Sequence, residues 1–390
     1  MQYIQRQLES GLQHHLDRGK SILLLGPRQT GKSTLLARLS SDLTLSLASP
    51  GTRQRYEKNS SLLIGEIEAL AKKTKRPLVF LDEVQKVPTI MDAVQDLIDR
   101  HVAQFILTGS SARKLRKGRG VNLLPGRVVS MRLDPFLHQE YAQPIEMILT
   151  DGTLPGIVQE REATDREVDL KSYVETYLEE EIRAEAIVRN IGSFARFLEF
   201  AGLESGNIIN LHGLSQEMGV SHTTIASYFE ILDDCLIAER IEPITQSLTR
   251  KKLTKSNRYL MFDLGVRRLC AGEGRSLSRD RLGNLFEQYV GLELIRLARL
   301  KTVSTKIRFW RDPDGPEVDW VIERGGEYIP IEVKWNDRPS RQDIRHLKVF
   351  LKEYKKAKKG YVVCRTPRPV KLEEEITAIP WQQLSETIDS

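Results

Sequence analysis

The chain has 390 residues, 40% of them hydrophobic and 29% charged, with a formal net charge of +6. That length exceeds a single compact core and predicts two to four domains. No apolar run approaches the about 20 residues of a membrane helix, so a membrane partner is not expected.

The polar start, Met1 to Lys20, shows no signal-peptide pattern. Three scattered cysteines, Cys235, Cys270 and Cys364, form neither a disulfide framework nor a zinc set. A cytoplasmic setting is therefore expected. The seven histidines show no metal-ligand spacing. The positive balance hints at an anionic partner.

Ile22-Leu23-Leu24-Leu25 reads as a short buried strand. It feeds Gly26-Pro27-Arg28-Gln29-Thr30-Gly31-Lys32-Ser33, which fits the phosphate-loop pattern G-x-x-x-x-G-K-[ST]. Thr34 to Leu39 reads as the helix that follows. Glycines at both ends let backbone N–H groups curl around phosphate oxygens, and the helix N-terminus adds positive dipole. In this pattern Lys32 reaches the β- and γ-phosphates of ATP, and Ser33 a Mg²⁺ ion.

Leu78-Val79-Phe80-Leu81 then reads as a buried parallel strand ending in Asp82-Glu83. Carboxylates at that edge of a doubly wound sheet suit a nucleotide site. Asp82 is expected to hold Mg²⁺ through its water shell, and Glu83 to orient the attacking water. The strand Phe105–Thr108 runs into Gly109-Ser110-Ser111. Thr108 or Ser110 is placed to sense a γ-phosphate, or simply to cap the turn. Strand candidates 43–47, 78–81, 104–108 and 128–133 alternate with helical stretches, which predicts an α/β sheet.

The segments GPRQTGKSTL, LVFLDEVQKVP, ILTGSSARKL, LLPGRVV and LDPF resemble a bacterial and archaeal AAA+ ATPase family. The resemblance runs over nearly the whole chain. It implies a P-loop core, a winged-helix segment and a C-terminal domain long classed as of unknown function. It also implies that Arg127, before the last core strand, serves as a finger for a neighbouring subunit. An arginine holding the sheet edge is the other reading, and Arg113 competes for the finger role. The basic run 113–119 would face the pore of a ring.

Residues 173–189 and 193–203 read as helices of a lid or linker. Within the first, Glu179-Glu180-Glu181 reads as a solvated face. Leu211 to Met218, a Gly219 turn, Ser221 as N-cap and a helix through Asp234 form a helix-turn-helix pattern. Ile225, Phe229 and Leu232 point inward in that reading. His222, Thr223, Ser227 and Tyr228 are left for contact. Strand-like runs 237–244 and 258–262 flank a basic loop with Arg250, Lys251, Lys252 and Lys255, which suggests a wing. Such a unit binds DNA or docks protein.

Near the C-terminus, 306–310, 318–322 and 329–334 read as strands. Gly325-Gly326 is a hairpin signal that sets Asp319 opposite Glu332, with Lys334 next along the same face. Val318, Trp320, Ile322, Ile331 and Val333 fill the other face. Facing carboxylates repel by about 0.2–1 kcal/mol unless a cation intervenes. Oxygen ligands suit Mg²⁺ or Mn²⁺.

The arrangement resembles the PD-(D/E)XK nuclease superfamily. It implies Lys334 at the scissile phosphate or the attacking water, and a glutamate from the preceding helix in the metal shell. Glu287 matches that place, and Glu293 is the second candidate. The fold without the activity is the alternative. Arg341, Arg345, Lys348, Lys352, Lys355 and Lys359 recur at helical steps as a basic stripe opposite Ile344, Leu347, Leu351 and Tyr354.

The expectation is an α/β protein. It comprises an ATPase core (1–145), a helical lid or linker (146–207), a winged helix (208–275) and a restriction-endonuclease-like domain (276–390). It would bind ATP, Mg²⁺ and DNA and form a homo-oligomer, a hexameric ring being one form. ATP hydrolysis would control a metal-dependent nuclease. The alternative is a DNA-binding or protein-remodelling regulator with a silent nuclease fold.

Overall fold

A computed structural model describes residues 3–111, 124, 126–178, 191–247, 250, 253–313 and 315–389. Arg113 and the basic run after it, Glu179 to Glu181, Lys251 and Lys252 lie outside the described residues.

The first layer is a five-stranded parallel sheet. Its elements in order are α1 (Leu8–Asp17), β1 (Ser21–Leu25), α2 (Lys32–Leu36), β2 (Leu43–Ser46), α3 (Pro50–Lys58), α4 (Leu62–Ala71), β3 (Leu78–Asp82), α5 (Ile90–Asp99), β4 (Gln104–Gly109) and β5 (Val128–Arg132). The strand order is β2-β3-β4-β1-β5. All five residues of β1 are buried, because a parallel sheet covered on both faces needs continuous apolar strands. Alternation divides them. Leu23, Val79, Leu81, Phe105 and Leu107 pack with α5, while Ile22, Leu24, Phe80 and Ile106 pack with α1 and α2.

The middle of the chain is helical: α6 (Ile145–Asp151), α7 (Pro155–Val158), α8 (Ala163–Ser172), α9 (Ile191–Leu203), α10 (Leu211–Met218) and α11 (His222–Asp234). A hairpin of β6 (Ala238–Ile241) and β7 (Arg258–Met261) and α12 (Leu264–Cys270) follow. One buried cluster runs from Leu154 to Cys270, so the lid segment and the helix-turn-helix share a core. Gly219 takes φ 67° to end α10, a conformation that suits glycine. Ser221 Oγ accepts the Thr224 N–H at 3.1 Å to begin α11.

The six-stranded C-terminal sheet has the order β12-β13-β11-β10-β9-β8. Helix α13 (Arg279–Arg299) precedes β8 (Thr305–Arg311), β9 (Glu317–Arg324) and β10 (Glu327–Val333). Then come α14 (Arg345–Glu353), β11 (Gly360–Cys364), β12 (Val370–Lys371), β13 (Ile376–Pro380) and α15 (Leu384–Asp389). Helix α13 covers one face and α14 the other. Gly291 lets α13 lie directly on Trp320 of β9, where a Cβ would collide with the indole.

Four expectations are corrected here. Tyr228 does not face outward; it is buried against Phe194 and Phe197 of α9, at ring distances of 5.0 and 5.1 Å. The basic stripe does not ride one helix. Helix α14 stops at Glu353, and Lys355 and Lys359 lie beyond it. The described parts of the loop after β6 do not project as a wing would. Ile244 N–H donates to Phe309 O (2.9 Å) and Thr254 N–H to Arg311 O (3.2 Å), so they line the edge of β8, with Arg250 paired to Asp312. Val318 packs with Trp310 and Val321, not with Trp320.

Candidate functional site

The phosphate loop lies between β1 and α2, and its geometry follows from close backbone approach. Gly26 donates to Gly109 O at 3.2 Å, and a Cβ on it would strike the Leu133 carbonyl. Gly31 takes φ 93°. Lys32 is buried, and its Nζ donates to the carbonyls of Gly26 (2.7 Å) and Pro27 (2.9 Å). Thr30 Oγ1 ties back to Pro27 O at 2.9 Å.

The acidic strand end stands beside the loop. Thr108 Oγ1 donates to Asp82 Oδ1 at 2.6 Å, and Ser46 Oγ to Asp82 Oδ2 at 3.1 Å. The Glu83 N–H donates to Thr108 Oγ1 at 3.1 Å. Thr108 is therefore a brace between both acidic residues. Glu83 has φ 59° and ψ 48°, a left-handed conformation that strains a residue with a side chain. A cleft of about 420 Å³ is lined by Arg28, Lys32, Ser33, Asp82, Glu83 and Lys86. The oxygens of Ser33, Ser46 and Asp82 share a neighbouring hollow, a donor set that fits Mg²⁺.

Three features here had no sequence signal. A second cleft of about 340 Å³ adjoins the loop, lined by Tyr3, Arg6, Thr34, Phe136, Pro155 and Gln159 among others. The buried Arg6 donates to Thr30 O (2.8 Å) and Asp134 O (2.6 Å), joining the loop to the chain after β5. Ser46 is the third. Only chain topology brings these segments to the loop.

Arg127 sits just before β5 and pairs with Asp99 of α5, with Nη2 to Oδ2 at 2.9 Å.

The C-terminal candidates divide. The β9–β10 register runs from Arg324–Glu327 to Trp320–Ile331, and the next position holds Asp319 and Glu332. Gly325 and Gly326 have φ of 59° and 81°, as the hairpin turn requires. Asp319 Oδ2 accepts the Val333 N–H at 2.8 Å. Lys334 Nζ donates to Glu332 Oε1 at 2.7 Å, while Glu332 Oε2 is buried with no hydrogen-bond partner among the described residues. Glu287 is paired with Arg258 at 2.7 Å.

Burial, then the Asp319 carboxylate, pushes Glu332 up to about 9 and Glu287 up to about 8. Burial also raises Asp319. Burial opposes the charge of Lys334, but Glu332 and Asp319 outweigh it and hold the amine above the usual lysine range. The donors are of the right type for a hard cation. Among the described residues, however, no three histidine, cysteine or acidic groups are gathered to hold an ion. Arg258 and Lys334 balance the carboxylates instead. Glu293 does not join this group. It is buried and accepts the His138 N–H at 2.8 Å, facing the chain after β5.

Three family models match the chain in succession. Residues 18–142 match an AAA domain, 143–276 a domain of unknown function (DUF8612), and 282–384 another (DUF4143). An uncharacterized protein of Mycobacterium tuberculosis is 24% identical over 388 residues, 98% of this chain and 85% of its own length. A Mycobacterium bovis protein matches equally. A Walker-type ATPase of Pyrococcus abyssi superposes with TM-score 0.48 at 15% identity, covering 69% of this chain and 96% of that one. Over residues 18–142 the phosphate loop and the acidic strand coincide with the match to an AAA domain.

Proposed function

We propose that the protein is an ATP-hydrolysing switch that acts on DNA through its C-terminal domain. The observation that carries the ATPase reading is the buried Lys32 amine, held inside the loop by two carbonyls, beside a Glu83 on strained backbone. Lys32 exchanges those carbonyls for β- and γ-phosphate oxygens. Gly31 and the start of α2 supply N–H donors. Ser33 and Asp82 hold Mg²⁺, which neutralises phosphate charge. Glu83 orients the attacking water. The cleft by Tyr3 and Phe136 takes the base.

The test is ATP turnover with nucleotide binding measured in parallel. Lys32→Ala is expected to abolish turnover. Glu83→Gln is expected to keep binding and lose about 10²–10⁴-fold in kcat. Normal turnover by the Glu83 variant removes it from the reaction.

The DNA reading rests on charge placement. Residues 338–359 hold nine lysines and arginines against two acids, a surplus of seven in a chain of +6. Residues 192–240, which include the helix-turn-helix, hold two arginines against seven acids. Phosphate contact needs cations. DNA is therefore assigned to the α14 side of the C-terminal domain, and the helix-turn-helix to a structural or docking role.

A nuclease is the second reading, favoured by a buried Glu332 oxygen, without a partner among the described residues, beside Asp319 and Lys334. As they stand, the residues do not enclose an ion. Plasmid incubated with Mn²⁺ should be cut by wild type and not by Asp319→Asn if Glu287, Asp319 and Glu332 gather round a cation. Intact plasmid with wild type leaves the regulator. Oligomerisation with Arg127 serving a neighbour requires the Asp99 pair to open.

A further inference from the structure

Gln85 lies two residues past Glu83, in the 3₁₀ turn Val84–Lys86. It is a polar side chain 6% exposed beneath the nucleotide cleft. Its Nε2 donates to Glu83 Oε2 at 2.6 Å and to Ser110 Oγ at 3.0 Å. Ser110, just past β4, also reaches Glu83 Oε2 at 3.4 Å. The three side chains close a small ring between two strand ends. Gly109 makes room for it, since a Cβ there would stand 2.9 Å from Gln85 Oε1.

The ring acts on one oxygen only. Both bonds go to Glu83 Oε2, and among the described residues Oε1 has no hydrogen-bond partner. The Glu83 main chain is already set by its left-handed φ and its bond to Thr108. What remains to be set is the side chain, and the bonds to Gln85 and Ser110 restrain where its carboxylate lies. A charge-assisted bond to one oxygen fixes the carboxylate plane and leaves the other oxygen for water.

We propose that Gln85 is a positioning residue for ATP hydrolysis, acting through Glu83 and anchored by Ser110. The inference rests on the ATPase reading above. It adds that the geometry of Glu83 is imposed from the strand end that also carries the candidate γ-phosphate sensor. Ser110 thereby connects that sensor position to the water-orienting group.

The test is steady-state ATP hydrolysis, with binding of a fluorescent ATP analogue and thermal melting, in the full chain. Gln85→Met keeps the volume and removes the amide. It should lower kcat about 10-fold or more at unchanged KM and unchanged nucleotide affinity. In a Glu83→Gln background the same substitution should change nothing further, because residues acting as a unit are not additive. Ser110→Ala should lower kcat in the same direction by less, and it carries the test if Gln85→Met does not fold.

A kcat within twofold of wild type for both variants overturns the proposal. So does a loss of equal size in both backgrounds, or a rise in KM alone. If Glu83→Gln hydrolyses ATP like wild type, the role of Glu83 is what fails, and this inference falls with it. If Glu83→Gln stalls while Gln85→Met turns over normally, only the role of Gln85 fails.

Discussion

Glu293 shows at residue scale what a helical stripe conceals. Its spacing on α13 allowed it a place in the C-terminal acidic cluster, yet it faces the loop after β5. There the His138 N–H donates to one oxygen, and the other is buried with no partner among the described residues. Burial pushes its carboxyl up to about 7; the neighbouring Glu140 adds to this, while Arg296 and the His138 N–H oppose it.

Between its unfolded value and 7 the folded chain keeps a proton that the unfolded chain has released. The resulting stability is full below the unfolded value and lost as pH rises through about 7. Urea melts from pH 5 to 8 should show wild type losing on the order of 3 kcal/mol that Glu293→Gln retains. Parallel curves would exclude Glu293 as the source. His138, lowered by burial, contributes the opposite slope at the acidic end and does so in both proteins.

Two helices show at element scale how periodicity succeeds and stops short. In α11 the inward set Ile225, Phe229 and Leu232 was legible, and all three are buried. Tyr228 was misread because its cover comes from Phe194 and Phe197 of a different helix. In α14 the apolar set Ile344, Leu347 and Leu351 was legible, but the helix end was not. Tyr354 stacks on Phe350 at 4.4 Å and donates to Gln246 O at 2.8 Å, so a tertiary contact turns the chain where no glycine or proline marks it. The lysines past that turn still belong to the same basic segment.

DNA affinity should therefore fall with salt. Replacing Arg345, Lys352 and Lys355 by alanine should weaken binding and flatten log K against log salt by up to about 0.9 per lost contact. Alanine at His222, Thr223 and Ser227 should leave the slope unchanged. The reverse result in a salt titration would return DNA to the helix-turn-helix.

At the scale of the whole molecule, the three matched regions meet in one ion cluster, in which the carboxylates are buried and the arginines partly so. Arg132 and Asp134 come from the first, Glu239 of β6 from the second, and Arg299 of α13 from the third. Burial works to raise both carboxyls, but the arginines outweigh it and hold Asp134 and Glu239 below the usual range. Arg6 carries the connection onward from the Asp134 carbonyl to the phosphate loop. Asp134→Asn removes one of the two carboxylates that Arg132 and Arg299 share and should cost about 1–3 kcal/mol in urea unfolding. A change under 1 kcal/mol would mean that the cluster is solvated.

The local record was enough for the phosphate loop, the acidic strand, the parallel sheet, the helix-turn-helix and the Gly325-Gly326 hairpin. Each is written in contiguous residues, as apolar runs, glycines and caps, and its physics is short-range. The structure alone decided which distant groups share a site. Gln85 and Ser110 on Glu83, Arg6 on the loop, Arg258 against Glu287 and Glu293 against His138 join separate segments of the chain. Such pairings depend on strand order and helix docking, where burial makes each polar group find a partner, and no local pattern encodes that choice.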